Sequence, residues 1–350
     1  MLPKIREERS ISDKDALEGQ GSMSLEISVI VPTYNRAELI ASTLKSIIQQ
    51  TYRPSEIIVV DDGSSDDTEA VVDGFGQSVK YTRIENSGEC RARNIGVQIS
   101  SSPWVAFCDS DDLWHPEKLM LQARIIESAP NVEYCFTNFK TVVNEKWSDE
   151  TKFDTSPPGY WNVRRRNIAS DMFLVDEPMF YRLLQHQPIF PTTLMMKRTF
   201  FEAVGCWNEA LGRTPSVDLE FHLRCVARTP LGVVSAPVVG IRKHSSNFSG
   251  DLVRTTLGEV KVLEYVLAND PHAAQHRSAI SQQIVSRSKA GAAEAFRTGR
   301  LEIARDFLKR VPWEAQPWVL RCENVVLKMP NCIGKALAGI GASSTPERAN

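Results

Sequence analysis

Ile27-Ser28-Val29-Ile30-Val31-Pro32-Thr33-Tyr34-Asn35-Arg36 sets how the rest of the chain is read. Apart from Ser28, Ile27 to Val31 is β-branched, and Pro32 closes the run, which is the pattern of a buried strand. Asn35 is then a candidate helix N-cap, with Glu38 three residues on as in a capping box. Ile40, Leu44, Ile47 and Ile48 fall on one helical face, and Arg53-Pro54 stops that helix. The alternation repeats downstream. Ile57 to Val60 is a second strand, ending in the cap-rich turn Asp61-Asp62-Gly63-Ser64-Ser65-Asp66-Asp67, and a helix runs through Ala70 to Val72. Val79 to Ile84 is a third strand and Ala92 to Ile99 a helix. Trp104 to Cys108 is a fourth strand, ending in Asp109-Ser110-Asp111-Asp112. Strands and helices alternating at this spacing predict βαβ units and an α/β fold with a mostly parallel sheet. Ligands of such sheets bind at the carboxyl ends of the strands, and two of these strands end in aspartates.

Beyond residue 113 the pattern loosens. Leu119 to Ile126 reads as a helix, Glu133 to Thr137 as a strand, and Ser156 to Arg166, with Pro157-Pro158-Gly159, as a loop. Thr192 to Met196 reads as a strand and Arg198 to Val204 as a helix. Residues 252 to 310 are helical in character, and Ala292, Ala295, Gly299, Ala304 and Leu308 have the spacing of one tetratricopeptide-like hairpin within Lys289 to Arg310. A plain helical extension is the competing reading.

The chain has 350 residues, enough for about two domains and a sizeable core. Lys and Arg number 41 against 43 Asp and Glu, a net charge of -2, so no whole-chain electrostatic lean points to nucleic acid; a local basic patch is left open. Cys90, Cys108, Cys135, Cys206, Cys225, Cys322 and Cys332 are odd in number and contain no C-x-x-C pair. They read as free thiols of a reducing compartment, not as a disulfide frame or zinc site. Residues 1–24 are polar and read as a disordered tail without the apolar centre of a secretory signal. No run approaches the roughly 20 apolar residues of a membrane span. The expectation is a cytoplasmic protein with at most peripheral membrane contact.

Several clusters carry candidate chemistry. Three carboxylates within Asp109-Ser110-Asp111-Asp112 repel one another unless a cation is near, and their hard oxygens suit Mg²⁺ or Mn²⁺, with a substrate phosphate completing the shell. A turn and helix N-cap before Leu113 is the structural alternative. Asp61-Asp62 can hydrogen-bond a base or ribose edge, or form an Asx turn and cap. Tyr34 can stack on a nucleobase or simply pack. Asn86-Ser87-Gly88 followed by Arg91-Ala92-Arg93-Asn94-Ile95-Gly96 puts a glycine turn and two arginines at a helix start, which can hold a diphosphate, although it is not G-x-G-x-x-G.

Together, Val29 to Arg36, Ile58 to Ser64, Asn86-Ser87-Gly88 with Ala92 to Gly96, and Phe107 to Asp112 resemble the family 2 glycosyltransferases, which have the GT-A fold. The likeness is dense over residues 27 to about 120 and thinner through Pro191 to Thr193, Phe201 to Trp207 and Ser216 to Arg224. It implies a Rossmann-like, mostly parallel sheet flanked by helices over 25–250, followed by a C-terminal helical extension over 251–350. It implies that Thr33, Tyr34 and Asp62 hold the nucleotide base while Pro32 and Asn35 shape the turn. Gly88, Arg93 and Asn94 fall to the sugar and diphosphate, and Asp109, Ser110 and Asp111 to the ribose and a divalent metal, Mn²⁺ or Mg²⁺, with Asp112 close enough to share it. Asp218 of Val217-Asp218-Leu219-Glu220-Phe221-His222-Leu223-Arg224 matches the catalytic base. Val217 replaces the usual first acid, which makes Glu220 the fallback. Arg242-Lys243-His244-Ser245-Ser246-Asn247-Phe248-Ser249 resembles the closing segment, in which His244 approaches the diphosphate or metal.

The activity so implied is inverting transfer of a sugar from a nucleoside-diphosphate donor, UDP-sugar first, to a hydroxyl of a saccharide or lipid-linked acceptor. Polysaccharide or glycolipid synthesis is the setting the resemblance suggests. Arg164-Arg165-Arg166 either flanks an anionic acceptor or is a solvated loop. A nucleotidyltransferase also sets carboxylate-bound metal beside a nucleotide, but it carries a basic Gly-rich loop where this chain has Pro32-Thr33-Tyr34-Asn35. A non-catalytic nucleotide-sugar-binding or scaffold protein is the third reading, disfavoured by the nearly complete motif set.

Overall fold

The computed structural model describes residues 25–227, 230–244 and 250–321. The tail at 1–24, Ser245 to Ser249 of the closing segment, and Cys322 and Cys332 therefore lie outside the described residues. The chain divides into two compact units, the first taking 1–213 and 221–244, the second 214–220 and 245–350.

The first unit is built on an eleven-stranded sheet. Its strands are β1 (Ile27–Thr33), β2 (Glu56–Asp61), β3 (Lys80–Arg83), β4 (Trp104–Phe107), β5 (Leu113–Trp114), β6 (Tyr134–Val143), β7 (Lys146–Thr151), β8 (Arg165–Ala169), β9 (Met172–Val175), β10 (Leu194–Lys197) and β11 (Leu231–Lys243). They lie in the order β3-β2-β1-β4-β10-β6-β11-β9-β8, with β5 on β11 and β7 on β6. Along that path only β10 and β9 run against the rest, so the sheet is mostly parallel. The order reverses direction between β1 and β4, and a crevice opens outside the carboxyl ends of strands at such a point.

Helices cover both faces because β1, β2 and β4 are buried on both. Val29, Val31, Ile57, Val59 and Ala106 join Ile40, Leu44 and Ile47 of α1 (Ile40–Ile48) and Leu119 and Ile125 of α4 (Lys118–Ser128) in one apolar cluster. On the other face α3 (Glu89–Ile99) comes so close that a side chain on Gly96 would stand 2.3 Å from the Ile30 methyl. A buried residue of this size stabilises by about 1.5–3 kcal/mol, which is why alternating apolar runs specify the sheet.

The strand–helix order through residue 126 is as the sequence predicts, with two corrections: the short strand β5 at Leu113–Trp114 follows the acidic turn where a helix cap was the structural alternative, and Asn35 takes another role. Asn35 does not cap α1, whose first residue is Ile40. Asn35 instead takes a left-handed conformation (φ 52°), and its side-chain oxygen accepts from the Ser65 N–H at 2.7 Å. Asn tolerates this conformation better than most side chains, so it turns the chain sharply after β1. The strand expected over Thr192 to Met196 begins at Leu194, after a 3₁₀ turn over Pro191–Thr193. Arg165 and Arg166, read as part of a loop, lie in β8 at the sheet's end. The sequence assigned nothing to β11, yet it pairs with β6, β9 and β5. Its register with β6 shifts around Pro237, which lets a proline sit in a central strand.

One buried cation lies beneath the end of β4. Lys118 is fully buried, its Nζ 3.7 Å from the centre of the Trp114 ring and 2.8 Å from Gln122 Oε1. Burial pulls its ammonium from the ordinary 10.5 down to about 7, opposed by the neighbouring Cys108 and Cys135 thiols. The unfolded chain therefore holds a proton between pH 7 and 10.5 that the folded chain has released. Stability gains with rising pH in that window and carries the full penalty below it. Relative to Lys118→Met, the wild type is expected to gain stability from pH 7 to pH 9 with a slope of up to about 1.4 kcal/mol per unit. Chemical denaturation of both proteins across that range checks it, and a pH-independent difference would overturn it.

The second unit contains α8 (Leu252–Asn269), α9 (Arg277–Arg297) and α10 (Leu301–Leu308). α9 and α10 form a hairpin whose turn uses Gly299 at φ 73°. Ala292, Ala295, Ala304 and Leu308, the positions singled out in the sequence, are buried. Gly258 of α8 lies against the 214–220 segment so closely that a Cβ there would stand 2.4 Å from the Pro215 carbonyl oxygen. Among the described residues, no helix is long and apolar enough to cross a membrane.

Candidate active site

The parallel register sets the ends of β1, β2 and β4 side by side: Thr33 opposes Asp61, and Ile30 opposes Phe107. Three motifs separated in sequence converge at that edge. Pro32 and Thr33 are buried at the end of β1, and Tyr34 follows at 41% exposure, its ring available for stacking.

Both carboxylates after β2 accept backbone N–H groups of turns. Asp61 is structural: it accepts from the Ser64 N–H at 2.7 Å and the Tyr81 hydroxyl at 2.8 Å. Asp62 holds the glycine turn, with Oδ1 accepting from the Ser87 N–H at 2.6 Å and Oδ2 from the Gly88 N–H at 2.8 Å. Gly88 sits at φ 99° and ψ 158°, a region essentially reserved for glycine. Its fixed turn brings the start of α3 against the end of β2.

The arginine and asparagine of α3 are committed inward. Arg93 is 2% exposed and its Nη2 lies 2.7 Å from Asp109 Oδ1 and 3.1 Å from Glu89 Oε2. Its guanidinium lies 5.0 Å from the Trp207 ring centre, while Nε and Nη1 find no acceptor. Burial opposes its charge, but Glu89 and Asp109 more than offset that and raise its pKa. Asn94 grips the backbone of Trp207 from both sides, donating to its carbonyl at 2.9 Å and accepting its N–H at 2.9 Å. Asn94 also donates to Glu209 Oε1 at 2.8 Å. The structure thus places Arg93 behind Asp109 and Asn94 behind Trp207.

The acidic turn after β4 is held at every residue. The Ser110 carbonyl accepts from the Thr43 hydroxyl at 3.0 Å. Asp111 Oδ2 receives Arg36 Nε at 3.3 Å and His244 Nε2 at 3.2 Å. Asp112 is buried and accepts the Arg242 N–H at 3.1 Å. Burial raises the Asp109 and Asp112 carboxyls, with Asp111 adding to both and Arg93 pulling Asp109 back. A divalent cation would reverse that tendency. Asp109 Oδ2 and Asp111 Oδ1 have no partner among the described residues. Those hard oxygens fit Mg²⁺ or Mn²⁺. Among the described residues, however, no three His, Cys, Asp or Glu side chains are gathered as a cage. An ion held here would take much of its shell from water and phosphate oxygens, as Mg²⁺ commonly does.

Arg242 organises this turn, and sequence reasoning gave it no role. Buried in β11, it donates to the Asp111 carbonyl, to Ser42 Oγ at 2.6 Å, to Thr43 Oγ1 at 2.8 Å and to the Leu39 carbonyl at 3.1 Å. Trp207, Arg36 and Arg213 also went unassigned. An arginine two residues before His244 was a legible signal; the other contacts cross long sequence separations and were not.

Residues 28–203 match the family described as Glycosyl transferase family 2. The chain belongs to glycosyl transferase family 2. An uncharacterized glycosyltransferase of Rickettsia bellii is 34% identical over 249 residues, 70% of this chain and 33% of that protein. The Escherichia coli UDP-Glc:alpha-D-GlcNAc-diphosphoundecaprenol beta-1,3-glucosyltransferase WfgD is 34% identical over 120 residues, 34% of this chain and 47% of its own. The match to an uncharacterized glycosyltransferase of Rickettsia conorii is 29% identical over 64% of this chain and spans 35% of that relative's length. Among solved structures, S. aureus TarS 1–349 in complex with UDP-GlcNAc superposes with a TM-score of 0.58 at 18% identity, covering 91% of each chain. The fold is therefore GT-A.

As a family 2 chain, it carries its candidate base on α7 (Val217–Val226), with Asp218 in the first turn. Asp218 is half-buried, whereas the fallback Glu220 is buried at 5% exposure and Val217 is buried as well. Phe221 of the same helix stacks on Trp207 with ring centres 4.1 Å apart.

Proposed function

We propose that this chain is an inverting, metal-dependent glycosyltransferase that moves a sugar from a nucleoside-diphosphate donor, UDP-sugar first, to an acceptor hydroxyl. The observation that carries the proposal is the convergence of Tyr34, Asp62 with the Gly88 turn, and the Asp109–Asp111 pair at the topological switch point of the sheet. A planar group, a polar base or ribose edge and a charged diphosphate each find matching chemistry there. WfgD and WfaP, named as UDP-Glc glucosyltransferases acting on a diphosphoundecaprenol-linked sugar, support a lipid-linked acceptor and polysaccharide or glycolipid synthesis. Free described cysteines fit work in the cytoplasm, with peripheral membrane contact through such an acceptor.

In this reading Tyr34 stacks on the base and Asp62 fixes the Ser87–Gly88 turn against it. Asp109 and Asp111 would hold Mn²⁺ or Mg²⁺, which would supply Lewis-acid stabilisation of the charge on the departing diphosphate. Arg93 holds Asp109 in place, and His244 and Arg36 hold Asp111. Asp112 secures the turn to β11. Asp218 takes the proton from the acceptor hydroxyl as that oxygen attacks the anomeric carbon. The bond from that carbon to the diphosphate oxygen breaks on the opposite face, so one displacement inverts the configuration.

The test is turnover of UDP-, GDP- and dTDP-sugars, by hydrolysis or transfer to lipid-linked saccharides, read by mass spectrometry. Turnover is expected to fall to background after chelation and to return with Mn²⁺ or Mg²⁺. Undiminished turnover in chelator would remove the metal from the proposal, and absence of both donor binding and turnover would sink the whole of it.

A further inference from the structure

The sequence offered Arg93 as the cation for the donor's diphosphate, and the structure gives that arginine other partners. Arg93 is sealed behind Asp109 and Trp207, with 2% exposure. Arg91 faces Glu209 at 3.7 Å. Arg36 pairs with Asp111, and Arg242 is buried beneath the acidic turn. A nucleotide sugar brings about two negative charges on its diphosphate to a site already lined by aspartates, which a metal ion would neutralise, and a third develops on the departing nucleoside diphosphate as the bond to the sugar breaks. An exposed cation next to the base motif is what the chemistry requires.

Arg213 meets that requirement. It follows Gly212, which turns the chain at φ 56°, and its guanidinium lies 5.7 Å from the centre of the Tyr34 ring and 3.8 Å from Asp62 Oδ2. Its stem runs along the glycine turn, with Cγ 3.7 Å from where a Cβ on Gly88 would stand. The side chain is 54% exposed, and its ion pair with Asp62 is longer than a hydrogen bond. Contacts of this kind are each worth about 1 kcal/mol or less and exchange readily. The guanidinium therefore rests on Tyr34, beside the Asp62 carboxylate and the Gly88 turn, without being locked to any of them.

We propose that Arg213 is a donor-binding residue, the mobile cation that meets the diphosphate of the nucleotide sugar. The inference rests on the nucleotide-sugar reading above. A base that stacks on the exposed face of Tyr34 takes the place of the guanidinium. The long side chain then turns from the ring and Asp62 to the phosphate oxygens, which offer charge-assisted, bidentate hydrogen bonds in place of a cation–π contact and a loose ion pair. Uncharged nucleoside competes with Arg213 for Tyr34, whereas nucleoside diphosphate recruits it.

That difference in sign is the test. Calorimetric titration of the full-length protein with UDP and with uridine, each in Mn²⁺, is compared for wild type, Arg213→Ala and Arg213→Lys. Arg213→Ala is expected to weaken UDP by about ten- to a hundred-fold while uridine binds as well as to wild type or better. Arg213→Lys should recover part of the UDP affinity, because it restores the charge but not the fork. Raising the salt concentration should weaken UDP less in Arg213→Ala than in wild type. Equal UDP affinity in wild type and Arg213→Ala would overturn the proposal while leaving the nucleotide reading intact. Equal losses for UDP and uridine would overturn the diphosphate role in favour of base packing. If wild type binds neither UDP, GDP nor dTDP, the nucleotide reading itself fails, and Arg213 with it.

Discussion

Asp218→Asn is expected to lower sugar transfer by about 10²–10⁴-fold, the usual contribution of a positioned general base. Asn has the shape of Asp and keeps one acceptor oxygen, so the first turn of α7 should form as before. What it lacks is a lone pair basic enough to take a proton from an acceptor hydroxyl. Metal-dependent UDP binding is expected to stay within a few-fold of wild type, since donor contacts and base chemistry belong to different residues in the proposed mechanism. The loss should therefore fall on kcat. Glu220 supplies the control. It is buried where Asp218 is half-buried, so Glu220→Gln should keep most of its turnover, judged on protein shown to be folded. Loss of nucleotide binding in Asp218→Asn would move the residue from base to donor contact, and near-normal turnover would remove it from the reaction. If Glu220→Gln alone is inactive yet folded, the base is Glu220, two residues on and on a different face of the helix.

Trp207→Ala is expected to cost about 3–5 kcal/mol of stability, the usual range for truncating a large buried aromatic. Trp207 is 2% exposed and joins three parts of the first unit. It stacks on Phe221 at 4.1 Å, meets Phe107 edge-on at 5.5 Å, and covers the guanidinium of Arg93 at 5.0 Å. Its backbone is gripped on both sides by Asn94. Truncation leaves a cavity and removes the π-face from a buried arginine whose Nε and Nη1 already lack acceptors. Because Arg93 holds Asp109 at 2.7 Å, the variant should also bind Mn²⁺-dependent UDP more weakly than its folded fraction explains. Trp207→Phe, which keeps a ring against Phe221, should recover most of the stability. Denaturant unfolding followed by circular dichroism reads the effect. A midpoint shift worth less than about 1 kcal/mol would show that Trp207 is not the hub these contacts describe.

How much of the site could be read from residues alone differs from motif to motif. Asp62, Gly88, Asp109 and Asp111 lie where strand ends should put them, because a short β-branched run closed by Pro or Asp fixes where its own strand stops. Asn35 shapes the turn after β1 as the resemblance implies, but it does not cap the helix. Cap and left-handed turn draw on the same short polar side chain, and only the Ser64 hydroxyl and the Ser65 N–H, about 30 residues away, decide between them. Arg93 and Asn94 were found, but as residues facing the donor. Arg93 pairs with Asp109 only 16 residues on, whereas the contacts of Asn94 and Arg93 with Trp207 depend on a segment more than 100 residues downstream. β11 escaped notice because Gly232, Pro237 and Gly240 read as strand breakers. Its pairing with β6 tolerates them through register shifts that no local pattern announces.

The sequence by itself determined the α/β class, the succession of elements through β4 and the carboxylates at the strand ends. These follow from the period of apolar residues and from turn chemistry, both of which act over a few residues. Tertiary structure alone decided which charges are available to a ligand. The sheet order β3-β2-β1-β4 brings Asp62, Gly88 and Asp109 to one edge. The folding of Trp207 onto Arg93 removes that arginine from solvent and leaves Arg213 exposed against Tyr34 and Asp62. Whether a side chain is an available cation or a buried brace depends on desolvation and on partners brought in from far along the chain. Those are properties of the packed fold, and no stretch of the sequence holds them.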